Sequence, residues 1–273
     1  MGDLENTVAV ITGAARGQGR SHAAALAAEG ADIIAVDLCA DIESIPYPLG
    51  TRDDLDETVA MVRSAGRRAV PVVADVRDLD ALRAGVQRGI GELGEIDIVV
   101  ANAGVVAIGV KDPLDDQLYR DIVDTNLGGV WHTIAATVPS IIRKGRGGSI
   151  ILISSAQGLV GRGGDGSAAM FGYAAAKHGV VGLMRSAANA YAEHHIRVNS
   201  IHPTGVPTPM VINEHIAKLL AENPNSSSLS SNLLPVPFVE IADVTNAVLW
   251  LASPKSRYVT GTTLPVDAGH AVM

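Results

Sequence analysis

The sequence predicts an α/β fold: one doubly wound parallel sheet of about seven strands, with helices on both faces. Three observations predict it. Short runs rich in Val and Ile alternate with helix-length segments along all 273 residues. The runs are apolar at consecutive positions, as strands covered on both faces must be. No linker divides the chain, so 1–273 reads as a single domain.

TVAVITG (7–13) is the first strand with its end, and a helix follows over 17–29. ADIIAVD (31–37) is the second strand. CADIESIPYPLGT (39–51) then interrupts the pattern, with two prolines and a length beyond an ordinary βα turn. Helix 53–65 leads to RAVPVVADV (68–76), helix 78–91 to IDIVVANAG (96–104), and helix 113–126 towards GSIILISS (148–155). Helix 170–193 leads to IRVNSIHP (196–203), and helix 240–252 to TTLPVDAG (262–269). Strand–helix alternation of this kind calls for right-handed crossovers. The segment 204–238, with its prolines, PNSSSLSSN and PVP, predicts a short helix mixed with loop. Within it, 223–232 reads either as a plain surface loop or as a lid.

Hydrophobic residues make up 47% of the chain, enough for a sizeable core. The net charge of −8 argues against a nucleic-acid binder, which needs a basic patch. A lone cysteine, Cys39, precludes an internal disulfide and fits a reducing compartment. The first residues lack the basic region and apolar run of a signal peptide. No apolar run approaches the ~18 residues of a membrane span. A cytoplasmic location without membrane attachment is therefore expected. His22, His132, His202 and His270 have no metal-ligand spacing, and His194 and His195 read as cations at a helix end. No metal is expected.

TGAARGQG (12–19) lies between the first strand and the first helix. Gly13, Gly17 and Gly19 permit a tight turn, close approach to a pyrophosphate and close helix packing, the Rossmann arrangement. The helix N-terminus beyond them offers free N–H groups to an anion. Arg16 and Gln18 belong to the same turn. Asp37, 18 residues after Gly19, stands where an acid binds ribose hydroxyls and repels a 2′-phosphate. With Leu38 beside it, this predicts NAD rather than NADP, although Arg16 points the other way. Asp75 and Val76 are placed to flank the adenine. Asn102, Ala103 and Gly104 end the fourth strand, where Asn102 either braces the sheet or touches ligand, and Gly104 leaves room beside a ribose.

In GYAAAKHG (172–179), Tyr173 and Lys177 stand at i and i+4 and share a helix face. A phenol has a pKa near 10 in water, and a nearby ammonium favours the phenolate. Tyr173 is therefore the candidate general acid or base, and Lys177 the candidate holder of nicotinamide ribose hydroxyls. Ser155 is placed to hydrogen-bond a substrate oxygen, while Ser154 should face the opposite side. Asn126 either braces its helix or holds a water that relays protons towards Lys177.

TGAARGQG, Asp75, NAG at 102–104, Asn126, Ser155 and YAAAK, in this order, resemble the short-chain dehydrogenase/reductase family. The resemblance covers nearly the whole chain, to PVDAG at 265–269. It implies that Asn126, Ser155, Tyr173 and Lys177 carry hydride-transfer chemistry. It implies homotetramers built on the long helices, here roughly 113–140 and 170–193. It also implies a residue set against the nicotinamide carboxamide after a PG-type turn. Here that turn is HPTGVPTPM, with Thr204 between Pro203 and Gly205, so Val206 and Thr208 are the matching candidates. More narrowly, VDLCADIESIPYPLGTRDDLDETV, AAKHGVVGLMR and RVNSIHPTGVPTPM resemble the carveol-dehydrogenase-like branch, which includes the mycofactocin-associated dehydrogenases of actinobacteria. That resemblance implies an insert after Asp37 that covers and retains NAD, with NADH reoxidised by an external redox carrier.

Tyr173 stands 18 positions after Ser155, more than is usual in the family. The excess lies in GRGGDGSAAMFG (161–172), a loop that can bulge and return the chain to register. The expected activity is NAD-dependent interconversion of a small-molecule alcohol and its ketone. Val105, Val106, Val160, Met170, Phe171 and Met210 mark an apolar mouth, which fits an apolar or alicyclic secondary alcohol. The rival readings are an NADP-dependent ketone or 3-oxoacyl reductase and a dinucleotide sensor without turnover.

Overall fold

The structure is a computed structural model that describes residues 2–161, 164–222 and 232–273. Among these residues the strands are β1 (Thr7–Thr12), β2 (Ala31–Asp37), β3 (Ala69–Val73), β4 (Ile98–Ala101), β5 (Gly148–Ile153), β6 (Ile196–Pro203) and β7 (Thr263–Val266). They form one sheet in the order β3-β2-β1-β4-β5-β6-β7, and every pair is parallel. The order reverses at β1, with β2 on one side and β4 on the other. The crevice at the carboxyl ends of β1 and β4 is thus the topological switch point, where open α/β sheets bind ligands.

The helices are α1 (Gly17–Ala28), α2 (Arg52–Ser64), α3 (Leu79–Leu93), α4 (Asp116–Val123), α5 (Gly129–Lys144), α6 (Ala168–Ala190), α7 (Glu214–Glu222) and α8 (Ile241–Ala252). Strand side chains alternate between the sheet's faces. Val8, Val10, Ile34, Val36, Val99, Ile150 and Leu152 pack against α3, α5 and α6 through Leu82, Val86, Ile134, Val180 and Met184. Ala9, Ile11, Ile33, Ala35, Val100, Ile151 and Ile201 pack against α1, α2 and α8 through Leu26, Leu55, Val59, Val244 and Val248. Both faces are covered, which is why the strands read as unbroken apolar runs.

Local signals place the helix starts. Thr51 Oγ1 accepts from Asp54 N while Asp54 accepts from Thr51 N, a reciprocal cap that ends the 39–51 insert and starts α2. Asp78 accepts from Asp80 N and Ala81 N at the start of α3. Two expectations are refined. The helix expected over 113–126 begins at Asp116, widens into a π-type turn at Asp124–Gly128 and continues as α5 to Lys144. The short helix expected in 204–238 is α7, and residues 223–231 of the expected loop or lid lie outside the described residues. Regular pairing also stops short of the apolar runs, at Thr12, Val73, Ala101 and Ile153. Gly13, Asp75, Asn102 and Ser155 are thereby left on the loops that crown the sheet.

Candidate active site

A cleft opens at the switch point, lined by Gly13, Arg16, Gly17, Gln18, Asp37, Leu38, Asp75, Val76, Asn102, Ala103, Gly104 and Thr208. Gly13 has φ +67°, and a Cβ there would lie 2.9 Å from both Ala103 Cα and Asn102 Nδ2. Gly19 does not line the cleft; a Cβ on it would stand 2.0 Å from Gly13 O, so it serves the packing of α1 beneath the turn. The N-cap of α1, Arg16, makes no side-chain cap hydrogen bond, and the first turn holds no acid. The helix therefore presents free N–H groups to the cleft.

Asp37 is oriented by main-chain donors: Oδ2 accepts from Ala15 N at 2.9 Å and Oδ1 from Cys39 N at 3.2 Å. The Arg16 guanidinium donates to Pro48 O at 2.7 Å, so it is drawn onto the insert. Asp75 carries a forked ion pair with Arg77, which also reaches Asp121 at 2.6 Å. Asn102 Nδ2 donates to Thr12 O at 3.0 Å and Gly13 O at 3.2 Å, bracing β1 against β4 while lining the cleft. Of the HPTGVPTPM segment, Thr208, Pro209 and Met210 reach the cleft. Pro203 ends β6, Gly205 O accepts from Val239 N, and Val206 is buried in the core.

Ser155, Tyr173 and Lys177 adjoin this cleft behind Gly104. Lys177 Nζ donates to Ile153 O at 2.9 Å and lies 5.6 Å from the Tyr173 ring centroid. A Cβ on Gly104 would come within 3.6 Å of that ammonium. Burial pushes the Lys177 pKa down to about 8. The Ser155 side chain stands beside the Tyr173 phenol, and Ser155 Oγ accepts from Gln157 N at 3.1 Å. Burial raises the phenol's pKa above its ordinary value, and the neighbouring Ser155 hydroxyl offsets this in part. The sequence led us to expect the ammonium to lower it. In the folded chain desolvation prevails, because the ammonium is turned to Ile153 O.

Asn126 is fully buried in the π turn. Its Nδ2 donates to Val105 O at 2.7 Å and Ile122 O at 2.9 Å, and its Oδ1 accepts from Val105 N at 3.0 Å. Its side chain thus braces the strand-end loop, and one Oδ1 lone pair is left for another donor. Ser154 Oγ donates to Lys177 O at 2.9 Å, so that hydroxyl is engaged by the main chain of α6. Of the loop expected over 161–172, residues 162–163 lie outside the described residues, and 168–172 are the first turn of α6, which Ser167 caps by accepting from Met170 N.

Sequence reasoning named the insert but not its individual residues. Ile42, Tyr47, Leu49 and Gly50 line the cleft, and so do Thr125 and Pro209. Ile42, Ile45 and Tyr47 are buried with Val105, Ala107, Leu118, Ile122 and Ala169. Ser44 Oγ donates to Asp121 Oδ2 at 2.8 Å, and Leu49 N to Asp41 Oδ1 at 2.7 Å. The available signal was PYP, an aromatic between prolines in a chain with 3% aromatics. Of the expected apolar mouth, Val105 and Met210 line the cleft, whereas Phe171 is exposed in an outer depression with Leu114 and Tyr119. Phe171 occupies the solvent-facing side of α6 because Tyr173, two positions on, faces inward.

The chain matches the short chain dehydrogenase family over residues 7–218. It is 54% identical over 267 residues to an uncharacterized oxidoreductase of Mycobacterium tuberculosis, covering 97% of this chain and 96% of the relative. It is 51% identical over 278 residues to (−)-trans-carveol dehydrogenase of Rhodococcus erythropolis, covering 98% and 99%. Among solved structures, carveol dehydrogenase of Mycobacterium avium in complex with NAD superposes with a TM-score of 0.93 at 47% identity, covering the whole of both chains. With the seven-stranded parallel sheet and the Ser155–Tyr173–Lys177 group, these likenesses establish that the chain belongs to the short-chain dehydrogenase family.

Proposed function

We propose that this chain is an NAD-dependent oxidoreductase that interconverts an apolar or alicyclic secondary alcohol and its ketone. The observation that carries the reading is the Tyr173 phenol, with Ser155 and Lys177 beside it, next to the cleft that the glycine turn, Asp37 and Gly104 line. The cleft suits the cofactor. Gln18 Oε1 and Thr125 Oγ1 are buried in its lining and have no hydrogen-bond partner among the described residues. The α1 N-terminus fits a pyrophosphate, and the Asp37 carboxylate fits a pair of ribose hydroxyls. NAD is favoured over NADP because a 2′-phosphate would face Asp37 while Arg16 is held by Pro48 O.

When bound, NAD supplies the hydride acceptor and a cationic ring that lowers the pKa of a neighbouring phenol. The chain's own residues do the rest. Substrate oxygen sits between Ser155 Oγ and the Tyr173 phenol. In ketone reduction the phenol, protonated at neutral pH, donates its proton to the oxygen. In alcohol oxidation it takes the proton back. Lys177 gives one of its three hydrogens to Ile153 O and keeps the others for ribose hydroxyls. Asn126 holds Val105 and so fixes the wall beside Gly104, with its free lone pair open to a relaying water. Val105 and Met210 shape an apolar surface for the substrate ring.

The insert bears on turnover. Anchored through Ser44, Tyr47 and Pro48, it spans the cleft as a strap, which supports slow nucleotide exchange and reoxidation of NADH in place by an external redox carrier. A homotetramer joined along α4–α5 and α6 and a cytoplasmic location belong to the same proposal. Denaturing the purified protein after dialysis and assaying the supernatant tests retention: stoichiometric NAD(H) is expected, and an empty protein that reduces added NAD freely counts against it. Initial rates with a series of cyclic secondary alcohols test the activity itself, and rates with NADP that exceed those with NAD would reverse the cofactor assignment.

A further inference from the structure

We infer that His202, a residue the mechanism above does not use, is a positioning residue that holds Ser155 in register with the Tyr173 phenol. The β5–β6 ladder closes where Ser154 N donates to Ile201 O at 2.8 Å. The next donor along β6 would be residue 203, a proline, which has no N–H to give. A side chain takes over at that point. His202 Nδ1 lies 2.8 Å from Ser155 O, and His202 Nε2 lies 2.8 Å from Ser200 Oγ. A carbonyl accepts only, so Nδ1 carries the hydrogen and Nε2 accepts from the Ser200 hydroxyl. Both ring nitrogens are thereby engaged and the tautomer is fixed.

The ring is wholly buried, and burial pushes its pKa down to about 4, so it stays neutral under ordinary conditions. Ser155 itself is extended, with φ −164° and ψ 161°. Its carbonyl accepts from His202 Nδ1 and from Gly158 N at 2.9 Å, and its hydroxyl accepts from Gln157 N. Two of these three bonds are local to the turn that follows Ser155; the bond from His202 is the one that ties Ser155 to β6 and so sets the hydroxyl's place beside the phenol. The Ser155 hydroxyl also counters the effect of burial on the Tyr173 pKa. Displacing Ser155 therefore weakens substrate orientation and raises the phenol's pKa together. Lys177 and His178 on α6 and Asp267 after β7 face the His202 ring, and Lys177 and Tyr47 stand near the phenol; because the ring is neutral, replacing it adds or removes no charge beside any of them.

The inference rests on the dehydrogenase reading, and the test separates the two. His202→Leu and His202→Asn are compared with wild type for NAD-linked oxidation of a cyclic secondary alcohol, with crystal structures of each. Misplacing a reacting group by about 1 Å is expected to lower kcat about 100-fold in His202→Leu, with the NAD thermal shift kept. The alkaline-rising limb of its kcat/KM profile should move to higher pH. His202→Asn retains an amide donor at the Nδ1 position and should recover most of kcat and the wild-type profile. Unchanged kcat in His202→Leu overturns the inference, as does an equal loss in both variants that follows their melting temperatures. Should wild type itself oxidise no alcohol, the dehydrogenase reading fails, and the crystal structures still decide. Ser155 Oγ shifted away from its wild-type place beside the phenol in His202→Leu supports positioning; an unmoved Oγ refutes it. Should His202→Leu not fold, His202→Gln replaces it, with its amide nearer Ser200. Asn more active than Gln supports the inference, and equal activity refutes it.

Discussion

On the β1–β2–β3 side of the sheet's carboxyl edge the chain offers main-chain N–H groups and leaves polar atoms free; on the β4–β5–β6 side it offers side chains already bonded to one another. The glycine turn, the uncapped start of α1 and Gln18 Oε1 make the first region receptive to a large anionic ligand. Around Ser155, Asn126 and Lys177, in contrast, each named polar group has a partner within the chain. The contrast separates binding from chemistry. A site that must recognise keeps its donors open, and a site that must move a proton fixes its groups before the ligand arrives. The chemical side is also where burial distorts ionisation, upwards for Tyr173 and down to about 8 for Lys177.

Changes on the chemical side should therefore remove turnover and spare binding. Tyr173→Phe is expected to lower kcat about 1000-fold, within the range for loss of a general acid–base group, while the thermal shift produced by NAD is kept. Loss of the shift together with activity would blur the division. Lys177→Met should lower kcat and also change the pH dependence of stability. The folded pKa is depressed, so the unfolded chain binds the extra proton above pH 8. The penalty for burying the ammonium is complete below about 8 and is relieved as pH rises towards 10.5. The wild-type minus Lys177→Met stability difference, from denaturant titrations across that window, should rise by on the order of 3 kcal/mol. A flat difference would show that Lys177 is better solvated than its burial implies.

Changes on the binding side should do the reverse. Asp37→Ala removes two main-chain contacts and a carboxylate, and should weaken NAD about tenfold while narrowing the gap to NADP, with kcat at saturation preserved. Calorimetry with both nucleotides checks this. The smallest effect is expected from Ser44→Ala. Loss of the bond to Asp121 should speed NAD release about threefold in a displacement assay, without altering the chemical step.

The sheet, the glycine turn and the Ser155, Tyr173 and Lys177 set were legible in the sequence, because each is written in local spacing. Val and Ile runs mark strands, and a four-residue interval marks a shared helix face. The strap was legible as an insert and no further. Its anchors, Ser44 to Asp121 and Tyr47 to Val106 N, join residues far apart in the chain with no periodicity between them. The bracing role of Asn126 depended on the π turn at Asp124–Gly128, which propensity does not foretell. The direction of the Tyr173 shift was misread because it depends on desolvation and on where Lys177 turns, and neither is encoded in spacing.

The most direct measurement is a crystal structure of the chain with NAD and a cyclic ketone bound. We expect the ketone oxygen within about 3 Å of both Ser155 Oγ and the Tyr173 phenol, with the nicotinamide ring beside it at the Gly104 end of the cleft. A nicotinamide lodged elsewhere, or an oxygen bonded to neither hydroxyl, would contradict the assignment of these groups to proton transfer.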